Sequence, residues 1–255
     1  MKTRIIYEDN SVLVVYKPAG LATETARIGQ MDTVSELKNY LAQKETESGA
    51  FLGVVHRLDQ PVEGLLVFAK EKEAAAALSS QLKKGVLNKQ YYAVLCGKPE
   101  ENEGELVDYL VKEPGLAKVV TDSQTKHPEA KRALLQYRIL SAKRISISEQ
   151  AGEAGKAAGL TDFEMEKDLA LADIHIDTGR FHQIRAQMAH AGYPLMGDVK
   201  YGTEDSVILG KKLGVNQIAL CAYSLAFVHP KTGKELSFTV DPEGEIFQLF
   251  GKIFA

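Results

Sequence analysis

The run His56-Arg57-Leu58-Asp59 places a carboxylate between two apolar segments, residues 54–55 before it and residues 64–69 after it. A carboxylate held between two β-type segments has a fixed position, which a reactive group needs. Pro61 stiffens the turn that follows, and Gly64 permits close approach of the backbone. A plain charged loop between strands is the alternative explanation. We therefore treat Asp59 as the candidate reactive group.

The order His-Arg-Leu-Asp superficially matches the catalytic loop of protein kinases. A kinase also needs a Gly-rich phosphate loop and a strand lysine upstream, with an asparagine and Asp-Phe-Gly downstream. The sequence contains none of these at the required places, which excludes a kinase.

Four further blocks of distinctive residues accompany the segment 56–70. They are Ile6-Tyr7-Glu8-Asp9 with Val14-Val15-Tyr16-Lys17-Pro18-Ala19-Gly20, then Lys89-Gln90-Tyr91-Tyr92-Ala93, then Thr178-Gly179-Arg180-Phe181-His182-Gln183-Ile184-Arg185, and finally Gly192-Tyr193-Pro194-Leu195-Met196-Gly197-Asp198 with Tyr201-Gly202. In these blocks and their order the chain resembles the RluA family of RNA pseudouridine synthases. The resemblance implies an isomerase that converts specific uridines of structured RNA, ribosomal or transfer, to pseudouridine.

Pseudouridine formation detaches uracil from the ribose C1′, turns it and reattaches it through C5. Nothing is gained or lost, so we expect no cofactor and no metal. The central need is one ionised carboxylate beside C1′, which either attacks the sugar or acts as a base at the 2′ position so that a glycal forms. The resemblance assigns this role to Asp59, and both routes remain open.

A carboxylate kept close to RNA and out of water tends to stay protonated unless a cation pairs with it. We predict that Arg185 is this partner and that its guanidinium binds Asp59 through two hydrogen bonds. His182 lies three residues earlier on nearly the same helix face, where it could orient Arg185 or the RNA. A structural role for His182 is the alternative.

The resemblance assigns the active-site tyrosine to Tyr91, which would stack on the uracil and assist proton movement at C5. Tyr92 points to the opposite strand face and is expected in the core. The resemblance also suggests that Arg57 fills the space that the extruded nucleotide leaves. His56 and Gln183, from the same blocks, are predicted to bind the substrate.

The chain departs from the family pattern just after Asp59. Gln60 replaces a usual basic residue, and Val62 and Glu63 stand where small hydroxyl residues commonly precede the glycine. Glu63 could raise the pKa of Asp59 if the two carboxylates faced each other, but we expect it to point away. The departures leave substrate preference open.

Two other functions remain possible from the residues alone. An RNA N-glycosidase would use carboxylates at C1′, such as Asp59 with Glu63, and release free base. A non-catalytic RNA-binding module would retain RNA affinity without needing Asp59.

Composition predicts a single catalytic domain over residues 1–255, because 45% hydrophobic content can build one core and no linker divides the chain. The net charge of −3 argues against an RNA partner, but its distribution does not. Residues 70–98 carry +4 and residues 112–144 carry +5, whereas residues 149–168 carry −4. We expect the basic stretches to form one phosphate-binding face, with ordinary solvated surfaces as the alternative.

Cys96 and Cys221 lie in apolar segments without metal-ligand spacing, which is typical of reduced core residues of a cytoplasmic protein. No signal peptide and no membrane span is predicted. The chain begins with catalytic-type strands, so we expect no N-terminal S4-type RNA-binding domain. We also expect a monomer.

Strand patterns outnumber helices and do not alternate with them, which favours an α+β fold with a mixed, largely antiparallel sheet. The resemblance implies the bifurcated sheet of pseudouridine synthases, with flanking helices. Residues 150–161 are rich in Gly and Ala, which predicts a mobile loop near 148–167. Helices are predicted at 33–41, 71–84, 182–191 and 245–254, and strands at 5–7, 12–16, 91–96, 106–111, 133–140, 169–176, 218–228 and 236–240.

Overall fold

A computed structural model describes residues 1–25, 27, 29–44, 51–120, 128–149 and 163–251. Its helices are α1 (Thr33–Lys44), α2 (Lys72–Lys83), α3 (Gln183–His190), α4 (Glu204–Lys212) and a final 3-10 helix (Glu245–Phe250). Its strands are β1 (Arg4–Glu8), β2 (Val12–Lys17), β3 (Gly53–Val54), β4 (Glu63–Ala69), β5 (Asn88–Cys96), β6 (Glu103–Glu113), β7 (Leu116–Val120), β8 (Lys131–Glu149), β9 (Phe163–Ile176), β10 (Leu220–Val228) and β11 (Glu235–Thr239).

The strands form one mixed sheet in the order β1-β2-β4-β10-β5-β9-β8-β6-β7. It branches at two places, where β3 pairs with β4 and β11 pairs with β10. Strands β4 and β10 run parallel, whereas the other pairs among the described residues are antiparallel. The predicted α+β class with a branched, largely antiparallel sheet is confirmed.

Strand β2 shows why the sheet is covered on both faces. Successive side chains of a strand point to opposite faces, and Val12 to Val15 are all fully buried. Leu13 and Val15 pack with residues of α1 and α3, whereas Val12 and Val14 pack with residues of α2. The face that carries α3 is the one on which the candidate site lies. In the described ranges, no helix is long and apolar enough to cross a membrane.

The predicted elements and the structure differ at several places. The C-terminal helix is a short 3-10 helix that ends before Gly251, whose φ of 76° a regular helix does not accommodate. Helix α4 was not predicted, although Thr203 caps it by accepting a hydrogen bond from the Ser206 N–H at 3.2 Å. The predicted loop is shorter than 148–167, because β8 extends to Glu149 and β9 begins at Phe163. Residues 150–162 lie outside the described part of the chain.

Candidate active site

A cleft of about 620 Å³ lies on the α3 face of the sheet. The segment between β3 and β4, the start of β5, the end of β9 and the loop before α3 provide its walls. Every residue that the sequence nominated lines this cleft, namely His56, Arg57, Asp59, Tyr91, His182, Gln183 and Arg185. The fold therefore brings together residues that are up to 129 positions apart in the chain, from 56 to 185.

The backbone around Asp59 is fixed by hydrogen bonds on both sides. Leu58, its neighbour, exchanges two bonds with the Thr23 hydroxyl, which donates to the carbonyl at 2.9 Å and accepts from the N–H at 3.2 Å. The Asp59 carbonyl accepts from the Val62 N–H at 3.0 Å, which closes a turn. A carboxylate on such a segment keeps its direction without help from the substrate.

Lys17 joins the same segment to the loop that follows β2. Its side chain is fully buried, and its ammonium donates to the carbonyls of Leu21 at 2.6 Å and Gln60 at 3.2 Å. Burial lowers the pKa of Lys17 to about 7, against the opposite effect of Asp59 and Glu63. The lysine thus connects the segment of Asp59 to the loop after β2 through hydrogen bonds. Sequence reasoning missed this role.

Arg185 contacts two carboxylates, and the pairing differs from the predicted one. Its Nε and Nη2 donate to Asp198 at 2.7 and 2.9 Å, whereas Nη1 alone donates to Asp59 Oδ2 at 3.2 Å. The predicted two-bond contact with Asp59 is therefore wrong, because Asp198 occupies the fork of the guanidinium. Arg185 and Asp198 are 3% and 2% exposed, so this pair is a buried anchor.

His182 begins α3 in a strained conformation. Its φ of 52° lies in the left-handed region, where no other non-glycine residue of the described ranges is found. The Phe181 ring stacks on the imidazole at 3.8 Å between centroids, and Tyr201 lies edge-on to it. Strain of this kind persists only where the surroundings impose it, and it is common at functional sites.

The contacts of His182 assign its proton to Nε2. The Tyr201 hydroxyl accepts from the Ala117 N–H at 2.5 Å and lies 2.9 Å from His182 Nδ1, to which it can donate its own proton. Nε2 then carries the imidazole proton and faces Asp59 Oδ2 at 3.4 Å. Burial lowers the pKa of His182 to about 4, with Asp59 opposing the shift and Arg185 adding to it. The ring is therefore neutral near pH 7.

Arg185 and His182 consequently contact the same carboxylate oxygen of Asp59. Arg185 and His182 each approach Oδ2, at 3.2 and 3.4 Å. The Asp59 side chain retains 25% exposure, toward the cleft that it lines. No residue of the described ranges forms a hydrogen bond with the second oxygen, Oδ1, which is thus available to a ligand in the cleft.

Tyr91 and Tyr92 point to opposite faces of β5, as predicted. Tyr91 lines the cleft and packs with Leu58 and Val62, and burial together with the charge of Asp59 raises the pKa of its phenol. Tyr92 belongs to the core on the other face, where its ring stacks on Tyr223 at 3.7 Å. Tyr91 therefore offers a protonated aromatic side chain beside the candidate carboxylate.

Glu63 points away from Asp59, which confirms the expectation. Its carboxylate accepts from the Tyr16 hydroxyl at 2.5 Å and from the Gly244 N–H at 3.1 Å. Burial raises its pKa, and Asp59 is not among the charges that act on it. Glu63 serves the contact with the C-terminal segment and does not line the cleft.

Gln183 requires a revised role. Its side-chain oxygen accepts from the Thr178 hydroxyl at 2.8 Å and the Arg180 N–H at 3.0 Å, while its amide donates to the Leu134 carbonyl at 2.9 Å. With 3% exposure and these contacts made, it holds the loop before α3 in place instead of offering groups to a substrate.

Arg57 and Phe181 stand at the exposed rim of the cleft. The Arg57 side chain is 69% exposed and pairs with Glu24 at 2.5 Å. Its guanidinium can leave this exposed ion pair and contact a bound ligand at little cost in free energy. Phe181 is 37% exposed and lies under the ammonium of Lys112, which is 5.1 Å from the ring centroid. Sequence reasoning did not single out Phe181, although an aromatic residue between two basic residues within the block 178–185 is a usable signal.

The two basic stretches reach the cleft only in part. Lys89 from the first lines it, and Lys112 from the second stands above Phe181 at its rim. Other cations of these stretches are paired with carboxylates, as in Lys70–Glu8, Arg138–Asp173 and Arg144–Asp168. The predicted continuous phosphate-binding face stays a prediction, with Lys89 and Lys112 as its described members at the site.

The chain is similar to known proteins over most of its length. Residues 11–190 match the family model described as RNA pseudouridylate synthase. The chain is 32% identical over 233 residues to the "Uncharacterized RNA pseudouridine synthase YhcT" of Bacillus subtilis, covering 89% of this chain and 65% of that protein. It is 29% identical over 255 residues to tRNA pseudouridine synthase C of Haemophilus ducreyi, covering 98% and 97%. It is also 30% identical over 254 residues to ribosomal large subunit pseudouridine synthase D of Zymomonas mobilis, covering 96% and 71%.

The fold has solved counterparts. Human RNA Pseudouridylate Synthase Domain Containing 4 superposes with a TM-score of 0.70 at 21% identity, covering 94% of this chain and 89% of that one. Human RNA Pseudouridylate Synthase Domain Containing 1 gives a TM-score of 0.67 at 19% identity, covering 94% and 83%. These likenesses establish the architecture.

The buried pair Arg185–Asp198 predicts a large effect of Asp198→Ala on stability. Removing one partner of a buried ion pair leaves the other charge uncompensated, so we expect the free energy of unfolding to fall by about 3–5 kcal/mol in urea denaturation. Asp168→Ala is the matched control, because Asp168 also binds an arginine, Arg144, through two hydrogen bonds, but at the surface. The control should leave the midpoint essentially unchanged. Equal effects of the two substitutions would contradict the assignment of a buried anchor.

The environment of His182 predicts its titration. We expect the imidazole to remain neutral, with its proton on Nε2, from pH 8 down to about pH 5, because its folded pKa is about 4. An unfolded histidine takes up its proton near pH 6.5, so folding stability should decline as the pH falls from about 6.5 toward 4. Nitrogen-15 NMR of the imidazole measures both tautomer and midpoint. A midpoint near 6.5, or a proton on Nδ1, would disprove the proposed contacts.

Proposed function

Because the chain belongs to the RNA pseudouridylate synthase family, we propose that it isomerises specific uridines of structured RNA, ribosomal or transfer, to pseudouridine, with Asp59 as the reactive carboxylate. Named relatives of both kinds support the two RNA classes, one a tRNA pseudouridine synthase and one a ribosomal large subunit pseudouridine synthase. The relatives do not decide between them, because the identities are similar, 30% and 29%.

The observation that carries the proposal is the arrangement of Asp59 in the cleft. Arg185 and His182 both approach Oδ2, and Oδ1 remains available on the open side. Arg185 places a positive charge beside the carboxylate, and neutral His182 adds a hydrogen-bond donor without adding charge. A single directed carboxylate oxygen is what the reaction needs beside C1′.

In the proposed reaction the C1′–N1 bond breaks and its electron pair leaves with the uracil. Asp59 either forms a bond to C1′ as N1 departs or removes a 2′ proton so that a glycal forms. The uracil then turns and C5 bonds to C1′, which either breaks the Asp59–C1′ bond and frees the carboxylate or, on the glycal route, is accompanied by return of the proton from Asp59 to C2′. The C5 proton is then lost while N1 gains one. The atoms balance without a co-reactant, and the need for no cofactor or metal stays a prediction from this chemistry.

Side chains around Asp59 suit an extruded nucleotide. Tyr91 provides a ring on which the uracil would stack, and its protonated phenol is available near C5. Arg57, at the rim, would occupy the space that the target nucleotide leaves in its helix. Phe181 and Lys112 would support a neighbouring base and its phosphate.

The N-glycosidase alternative is less well supported. It was based on a second carboxylate, Glu63, acting with Asp59. Glu63 is instead bound by Tyr16 and the backbone of residues 243–244, outside the cleft. We further propose that the enzyme is cytoplasmic and monomeric. The two unpaired buried cysteines, Cys96 and Cys221, support the cytoplasmic location, because free thiols are expected in a reducing compartment.

Asp59→Ala tests the proposal. The substrate is a mixture of transfer RNA and ribosomal RNA transcripts. The wild-type protein should form pseudouridine in it at unchanged RNA mass, and the rate of pseudouridine formation by the variant should be lower by at least about a thousandfold. The reason is that the variant lacks any group able to act at C1′. Nucleoside analysis by liquid chromatography measures the product, and circular dichroism checks the fold.

Asp168→Asn is the matched carboxylate control and should retain full activity, since Asp168 lies on the β8–β9 hairpin outside the cleft. Release of free uracil by the wild-type protein would instead indicate a glycosidase. Equal turnover of wild type and Asp59→Ala would remove Asp59 from the mechanism.

A further inference from the structure

Lys89 brings a positive charge to the cleft without a counter-ion. It stands two residues before Tyr91 on β5, so both side chains leave the sheet on the same face, and both line the cleft. Within the described ranges its ammonium forms no ion pair and no hydrogen bond. Burial lowers its pKa to about 8, with no carboxylate acting in the opposite direction. A desolvated cation with no partner is costly unless a ligand uses it.

His56 adds a buried hydrogen-bond donor to the same wall. Its Nε2 accepts from the Val67 N–H at 3.2 Å, so the proton of the neutral ring is on Nδ1. Nδ1 has no partner among the described residues, although the side chain is only 7% exposed. Burial, together with the charge of Lys89, holds the pKa of His56 well below its usual value. The ring therefore stays neutral and offers one N–H.

These two groups select a ligand with acceptor oxygens. Lys89 and His56 both donate, and neither the lysine nor the neutral Nδ1–H can accept. Lys89 lies two residues before Tyr91 on the same face of β5, about 7 Å along the strand from it. A nucleotide with C1′ at Asp59 and its base on Tyr91 would direct the far edge of the base, which carries O4, toward Lys89.

We propose that Lys89 and His56 bind the carbonyl edge of the extruded uracil and stabilise the negative charge that the ring carries while it is detached. The inference rests on the proposed isomerase function. When the C1′–N1 bond breaks, its electron pair is delocalised from N1 onto the ring oxygens, where the ammonium and the imidazole N–H donate hydrogen bonds. No proton is transferred to or from either residue. The delocalised electron pair then forms the new bond between C5 and C1′.

Lys89→Met tests this role, because methionine keeps the length and removes the charge. Pre-organised donors to a developing anion contribute about 10²–10³-fold to turnover, so kcat should fall by about 10²-fold at nearly unchanged RNA affinity. Lys89→Arg should recover part of this loss. Lys234→Met is the matched control, since Lys234 is exposed just before β11, outside both basic stretches, and does not line the cleft. The thermal midpoint of Lys89→Met should not decrease, because the lost cation is half-buried and has no ion-pair partner among the described residues.

An RNA with 5-fluorouridine at the target position separates leaving-group stabilisation from phosphate binding. Fluorine withdraws electrons and stabilises the detached ring, so the defect of Lys89→Met in C1′–N1 cleavage should be smaller with this RNA than with uridine. An equal defect with both RNAs, a loss of affinity at normal kcat, or wild-type kcat in Lys89→Met would overturn the inference. Each of these results leaves the isomerase proposal intact as long as the wild-type protein forms pseudouridine. A wild-type protein that forms none refutes the proposed function and this inference with it.

Discussion

The site depends on one guanidinium that two carboxylates share inside the protein. Asp198 takes the two-bond fork of Arg185 and is buried with it, so the cation is compensated before any ligand binds. An N–H of Arg185 Nη1 is directed at Asp59, whose carboxylate is partly exposed at the cleft. A buried ion pair of this kind gives little net stability, but it fixes direction. That direction is what a reactive carboxylate requires.

The rest of the fold fixes the positions of the two segments that carry Asp59 and Arg185. The segment of Asp59 is tied to the loop after β2 through Lys17 and Thr23, and β2 itself is buried on both faces. On the other side, Gln183 fixes the loop before α3, and Tyr201 orients the ring of His182. Lys17, Thr23 and Gln183 are buried and have hydrogen-bond partners, and Tyr201 is half-buried. The cleft is therefore preformed, and the exposed groups at its rim, such as Arg57, are left to adapt to RNA.

Much of the site could be predicted because its residues lie in short, distinctive blocks. Asp59, Arg185 and Tyr91 follow from those blocks, and the alternation of a strand separates Tyr91 from Tyr92. The competition between Asp198 and Asp59 for Arg185 could not be predicted, because it depends on where a loop returns after α3. The role of Gln183 was missed for a similar reason, since its partners come from β8 and the preceding loop. The C-terminal helix was predicted from apolar spacing, but Gly251 ends it as a 3-10 turn.

The central claim is that a carboxylate anchored by Arg185 isomerises uridines in cellular RNA. Chemical mapping of pseudouridines in total RNA tests it most directly, in cells that lack this gene and in the same cells complemented with wild type or Asp59→Ala. We expect one or a few positions to lose pseudouridine without the gene, to regain it with the wild type and not to regain it with Asp59→Ala. Identical maps in all strains, or restoration by Asp59→Ala, would contradict it.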